Sequence, residues 1–226
     1  MLAALYKAFA QLGDPALHRV IRLGVLGAVA CYLALVVAVW LILPHVHFFS
    51  QHWADTGTGI ALGLAAAVLP ILVFPALVTT IMSAMLESVA DAVEARHYPQ
   101  LNWPRPQGWT EIMSGTVRFL LVSLGVNLLA LPLYLVLLAT GLAVALMVVV
   151  NGYLLGREYF ELVAARRMAP KPMRLAFRNH LGQVWLAGAI IAILFAIPLL
   201  NLIAPVIAAA FMVHVFQSLR CQTDLL

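Results

Sequence analysis

The chain has 226 residues, 64% of them hydrophobic and only 10% charged, against roughly 25% charged in ordinary soluble domains. No water-soluble core of one domain hides that much apolar surface, so lipid is the solvent for much of it and the sequence reads as a single all-α membrane domain, 1–226. The net charge of +4 excludes nothing by its sign, but it is confined: between Arg157 and Arg178, six basic residues against two acidic ones supply all of it, which fits membrane topology and anionic headgroups better than nucleic acid.

At the start, Leu2, Leu5, Phe9 and Leu12 recur at helical spacing while Lys7 and Gln11 turn away. This predicts a short amphipathic helix over 1–13 lying in the membrane surface. Asp14-Pro15 then offers an N-cap and a first-turn proline. Span one, 16–43, carries Arg19 and Arg22 and is free of charge from Leu23 to Leu43. At about 1.5 Å per residue that run crosses roughly 30 Å of hydrocarbon. Cys31 lies inside it and Cys221 far away in different surroundings, so no disulfide framework and no C-x-x-C pair is present.

The next loop, 44–58, holds His45, His47, His52 and Asp55 but no Lys or Arg. Imidazoles two residues apart can converge on a metal. Their spacing matches no closed zinc pattern, and Phe48, Phe49 and Trp53 suit an interfacial loop, so no metal site is predicted. Span two, 59–97, is kinked at Pro70 and Pro75 and ends in ESVADAVEAR, whose alternating charges project into water. Tyr98-Pro99 stops it. The linker LNWPRPQGW, with Trp103 and Trp109, predicts an extended segment held at headgroup level.

Two further charge-free runs follow, 119–156 and 181–219, on either side of a basic hub at 157–180. Each run is about 40 residues, nearly twice one span yet slightly short of two spans and a turn. Pro132 and Gly141 interrupt the first, Pro198 and Pro205 the second. The arithmetic predicts two helical hairpins, each dipping into the bilayer and returning. Basic residues agree: Lys7, Arg19 and Arg22 precede span one, none lies between the spans, and the others, from Arg96 on, follow span two. Only 44–58 is then external, and both runs begin and end on the cytoplasmic side. Cysteines placed at Gln51 and Lys171, in a background lacking Cys31 and Cys221, should therefore react with an impermeant reagent from opposite faces. Reaction from one face removes the hairpin topology.

Few polar groups interrupt the apolar runs. An unbonded amide is costly at membrane depth, so Asn127 and Asn201 are expected to bond backbone groups or to line a polar path, Asn201 being the better pathway candidate between its two prolines. Arg157 and Glu161, four residues apart, predict an ion pair on one helix face. His214 is expected to be buried and hydrogen-bonded. Glu158 and Glu161 have no nucleophile, ligand set or phosphate loop beside them, so no enzyme and no cofactor is predicted.

The segments Ile197 to Pro205 (IPLLNLIAP), Met173-Arg174-x-Ala176-x-Arg178, Glu94-Ala95-Arg96 and GREYFELVAARR resemble the CysZ-like sulfate permease family, which includes the etoposide-induced membrane proteins of eukaryotes. The resemblance covers essentially the whole chain. It implies two long transmembrane helices plus two hemi-penetrating helical hairpins, a multi-pass location in the cell inner membrane, and uptake of sulfate or a related oxyanion for cysteine synthesis. Its partners would be that oxyanion and membrane lipids. Half-spanning arms seal poorly alone, so a homo-oligomer is expected. The family's Pro-Gly-Leu/Ile-Arg-Arg segment, associated with sulfate binding, aligns here with Pro15-Ala16-Leu17-His18-Arg19. Alanine replaces the glycine whose backbone a ligand could approach closely, and His18, charged only when protonated, replaces the first arginine. The candidate anion-binding residues are thus Ala16, Leu17, His18 and Arg19, with Arg22 one turn on. A membrane protein of the same family that does not transport, and instead binds partners through its basic hub, is the alternative.

Overall fold

A computed structural model describes residues 1–42 and 85–223, and the regular structure among them is helical. The histidines of the 44–58 loop, and span two as far as residue 84, lie outside the described residues. Helix α1 (Leu2–Ala10) runs through a 3-10 turn into α2 (Pro15–Ile42), which opens on its proline as the sequence requires. Helix α3 (Leu86–His97) ends before Tyr98-Pro99, and the proline-rich linker after it has no helix until α4 (Trp109–Leu138). Then come α5 (Ala143–Ala164), α6 (Pro170–Asn179), α7 (Leu181–Ala196), the short α8 (Pro198–Asn201) and α9 (Ala204–Thr223).

Among the described residues four helices, α2, α4, α5 and α9, contain segments long and apolar enough to cross a membrane, which makes the chain an all-α, multi-pass membrane protein. Helices α6 and α7 meet at 85°, so the hub helix turns sharply into the second hairpin. In the first hairpin the reversal falls at Gly141, whose φ of +74° favours glycine, while Pro132 is carried inside α4. Its arms have 30 and 22 residues, longer than the charge-free arithmetic suggested. That arithmetic stopped each arm at the first charge. The helices do not: α4 begins ten residues earlier at Trp109, and α5 continues through Arg157, Glu158 and Glu161. Long charged side chains near a helix end reach the interface without breaking the helix. The second hairpin turns where expected, with Pro198 opening α8 and Pro205 in the first turn of α9.

Helix α9 is the core. Every side chain from Ala204 to Phe216 is buried, and α1, α3, α5 and α7 pack around it. Of its apolar window 83% is buried, against 6% for α4, whose leucines point outward. These two numbers separate a helix surrounded by protein from one solvated by lipid. Helices α5 and α7 make the closest crossing. Gly152 and Gly156, four residues apart on α5, face Gly188 on α7; a Cβ built on Gly152 would come within 3.1 Å of the Ala189 backbone. Small residues at that spacing let two helix backbones approach, the usual means of packing helices in lipid, where burial of leucine gives no advantage.

Helix α1 turns its apolar stripe onto protein. It packs against α9 with Ala8 fully buried and Leu5, Phe9 and Leu12 partly so, while Leu2 is exposed. Gln11 turns inward rather than away, because its Nε2 finds the Nδ1 of His97 at 2.6 Å. That bond satisfies the donor side of the buried amide, while its Oε1 has no hydrogen-bond partner among the described residues.

Candidate anion site at the start of the first long helix

The residues at the start of α2 divide by helical phase. Leu17 and Val20 are buried in the core, at 1% and 5% exposure, and fix the rotation of the helix. His18, Arg19 and Arg22 are exposed, and their one- and four-residue spacings put them on adjoining parts of the outward face. Ala16 lies in the first turn. Leu17 can therefore offer an anion only its backbone, whereas His18, Arg19 and Arg22 offer side chains.

Asp14, the nearest carboxylate in sequence, takes the Nη1 of Arg96 from the end of α3 at 2.7 Å. Among the described residues neither Arg19 nor Arg22 has an ion-pair partner. Helix starts carry unsatisfied N–H groups and partial positive charge, so the field of α2 adds to theirs.

The amides are placed differently from one another. Asn127 is on the exposed side of α4, and its Nδ2 donates to the Ser123 carbonyl at 2.8 Å, one turn back in the same helix. Asn201 closes α8 at the reversal of the second hairpin, half-buried, and its buried Oδ1 has no hydrogen-bond partner among the described residues. His214 is buried as expected, but only half satisfied: Nδ1 meets the Tyr98 hydroxyl at 2.9 Å, and Nε2 has no partner among the described residues. Burial pushes the Tyr98 phenol above its ordinary value, which keeps its proton in place.

The hub is less exposed than its charge suggests. Arg157 Nε bonds Glu161 at 2.7 Å, the expected pair, with Arg157 itself only 4% exposed. Arg166 and Arg167 turn inward on α3: Arg166 reaches Asp91 and Glu94, and Arg167 Nε donates to Glu94 at 3.1 Å. Arg105 N–H donates to the Arg166 carbonyl at 2.8 Å, which ties the proline-rich linker to the same corner. Sequence reasoning missed this buried cluster. The signal was Asp91 and Glu94 one turn apart on a helix otherwise packed against protein, facing an Arg-Arg doublet.

The sequence model of one protein family, described as sulfate transporter CysZ/etoposide-induced protein 2.4, matches residues 4–205. No curated protein and no solved structure has a significant match to the chain.

Proposed function

The chain belongs to the sulfate transporter CysZ/etoposide-induced protein 2.4 family, and on that premise we propose that it is an inner-membrane permease for sulfate or a related small oxyanion. The observation that carries this reading is the extent of the match, from the first helix to the start of the last. Transport proceeds without ATP, since the sequence has no phosphate-binding loop. The imported anion feeds sulfur assimilation into cysteine.

Arg19 is the permanent charge that meets the anion, with Arg22 and the His18 imidazole beside it. Ala16 and Leu17 shape the backbone of the same turn. Asn201, with its unpartnered Oδ1 at the reversal of the second hairpin, lies on the path the anion follows; Asn127, bonded within its own helix, is the lesser candidate. The outward leucines of α4 suit contact with lipid or a second copy of the chain, and several copies together close the pore. A role as a partner-binding hub is weakened because Arg166 and Arg167 are already held by Asp91 and Glu94.

Purified protein in liposomes should take up labelled sulfate above empty-liposome background. Losing a charge-assisted hydrogen bond costs on the order of tenfold or more in affinity. Arg19→Ala should weaken sulfate binding by that amount at both pH 6 and pH 8, and His18→Arg, which adds a permanent guanidinium, should strengthen it. Calorimetry in detergent checks both. Parent-like binding by Arg19→Ala at both pH values places the anion elsewhere.

A further inference from the structure

Where the hub helix meets the first hairpin, three helices bring arginines to one cavity of about 270 Å³. Arg118 comes from α4, Arg157 from α5, and Arg174 and Arg178, one turn apart, from α6. Glu161 is the acidic residue in this lining, and it is already engaged by Arg157 Nε at 2.7 Å. Four guanidinium groups thus face one carboxylate. Among the described residues Arg118, Arg174 and Arg178 have no ion-pair partner.

Like charges do not gather unaided. What holds them is apolar: Phe177 on α6 packs its ring on Tyr153 and Phe160 of α5, at centroid distances of 6.1 and 5.8 Å. Helix α6 buries no residue fully and has no carboxylate of its own, and Met173 and Ala176 join Phe177 in packing, partly buried, against the core. The ring contacts therefore fix Arg174 and Arg178 beside Arg118 against mutual repulsion, which an anion among them would relieve. Arg157, 4% exposed, provides a buried and oriented wall. A second cavity of about 300 Å³ shares Arg118, Glu161 and Arg174 and adds Ser114, whose hydroxyl donates to the Glu111 carbonyl at 3.0 Å, and Thr116, whose hydroxyl can donate to a ligand. Glu111, which also lines it, is held by Arg105.

We propose that this arginine-lined crevice is an anion site for a phosphate- or sulfate-type group, separate from the start of α2 and independent of whether the chain transports. Arg118, Arg174 and Arg178 supply the charge, in forks suited to paired tetrahedral oxygens. Val122 and Leu181 on its lining are apolar, which suits a position at the membrane boundary. The group comes either from an anionic lipid headgroup or from a free oxyanion, and both share this chemistry.

The test uses the full chain in detergent, with Arg174→Ala/Arg178→Ala, Arg118→Ala and, as the control, Lys171→Ala, a charge on the same helix outside the crevice lining. Binding of sodium sulfate and of inorganic phosphate is measured by calorimetry at fixed ionic strength. Retention of phosphatidylglycerol over phosphatidylcholine is measured by native mass spectrometry. The double variant should lose at least tenfold in binding one of these probes, Arg118→Ala should lose binding of the same probe, and Lys171→Ala should retain it. Loss confined to phosphatidylglycerol identifies a lipid headgroup, and loss confined to sulfate or phosphate identifies a free oxyanion. The proposal is overturned if the parent binds none of the probes, or if the double variant and Arg118→Ala bind all of them as the parent does.

Discussion

Gly188→Ala should destabilise the folded protein severely. A Cβ there would fall on the backbone of α5, at the Gly152 carbonyl and at the N and Cα of Gly156. Approached from the other side, a Cβ on Gly156 would lie 2.5 Å from the Val184 carbonyl oxygen and 3.3 Å from the Gly188 Cα. Backbone cannot rotate aside as a side-chain tip can, so the two helices would have to separate. Both also pack on α9, so the separation would spread into the core. Overpacking costs about 1–3 kcal/mol and sometimes more. Alanine's better helix propensity returns about 1 kcal/mol. Because the clash is with backbone the cost lies at the top of that range, so the net loss should still be about 2 kcal/mol, and Gly188→Leu should abolish the monodisperse form. Gly115→Ala and Gly125→Ala are the controls: nothing lies within 4 Å of a Cβ at either position. They should melt at or slightly above the parent temperature. Melting followed by fluorescence-detected size exclusion gives the comparison, and a Gly188→Ala protein that melts with the parent would mean that the α5–α7 crossing is looser than described.

Glu94→Ala should cost about 3–5 kcal/mol, the amount typical of leaving buried charge without its partner. The Glu94 side chain is 6% exposed and accepts hydrogen bonds from both Arg166 and Arg167, at 3.2 Å and 3.1 Å. Those arginines are 5% and 7% exposed, so neither can turn to water for replacement. Arg166 would keep Asp91, which is itself 61% exposed and so a weaker partner. Arg96→Ala is the contrast. It breaks an ion pair with Asp14 in which the arginine is 59% exposed, and should cost less than about 1 kcal/mol. Removing Arg167 together with Glu94 should cost less than the sum of the single losses, because the second deletion takes away the charge the first one stranded. Strict additivity in that double-mutant cycle would show that the two side chains do not interact.

The ends of helices were legible wherever a proline acts locally. Pro15, Tyr98-Pro99 and Pro198 each set a boundary that the sequence predicted, since a missing N–H and a fixed φ act without reference to the rest of the chain. The Arg157–Glu161 pair was legible for the same reason, as a contact within one helix. What depended on distant partners was not. Gln11 reads as a polar residue facing out until His97, from another helix, is placed beside it. Charge-free length underestimated the hairpin arms because a helix answers to its hydrogen bonds, not to the first ionised side chain it meets. The arginine-lined cavity needed three helices in space, although Arg174 and Arg178 on an acid-free helix were a visible sign of part of it. For the start of α2, sequence alone grouped the residues as one segment and did not divide it into a buried Leu17 and exposed His18 and Arg19.

Helix α9 follows in chain order every helix that packs around it. During synthesis α1, α3, α5 and α7 must therefore form and wait with the place at their centre unfilled. At ribosomal rates of about 5–20 residues per second, the hundred or so residues between the end of α3 and the start of α9 take roughly 5–20 s to make. Over that interval His97 and Tyr98 face a vacancy that His214 will later occupy. Nascent chains stalled before α9 should for that reason be substrates for membrane chaperones and proteases, whatever the stability of the finished protein.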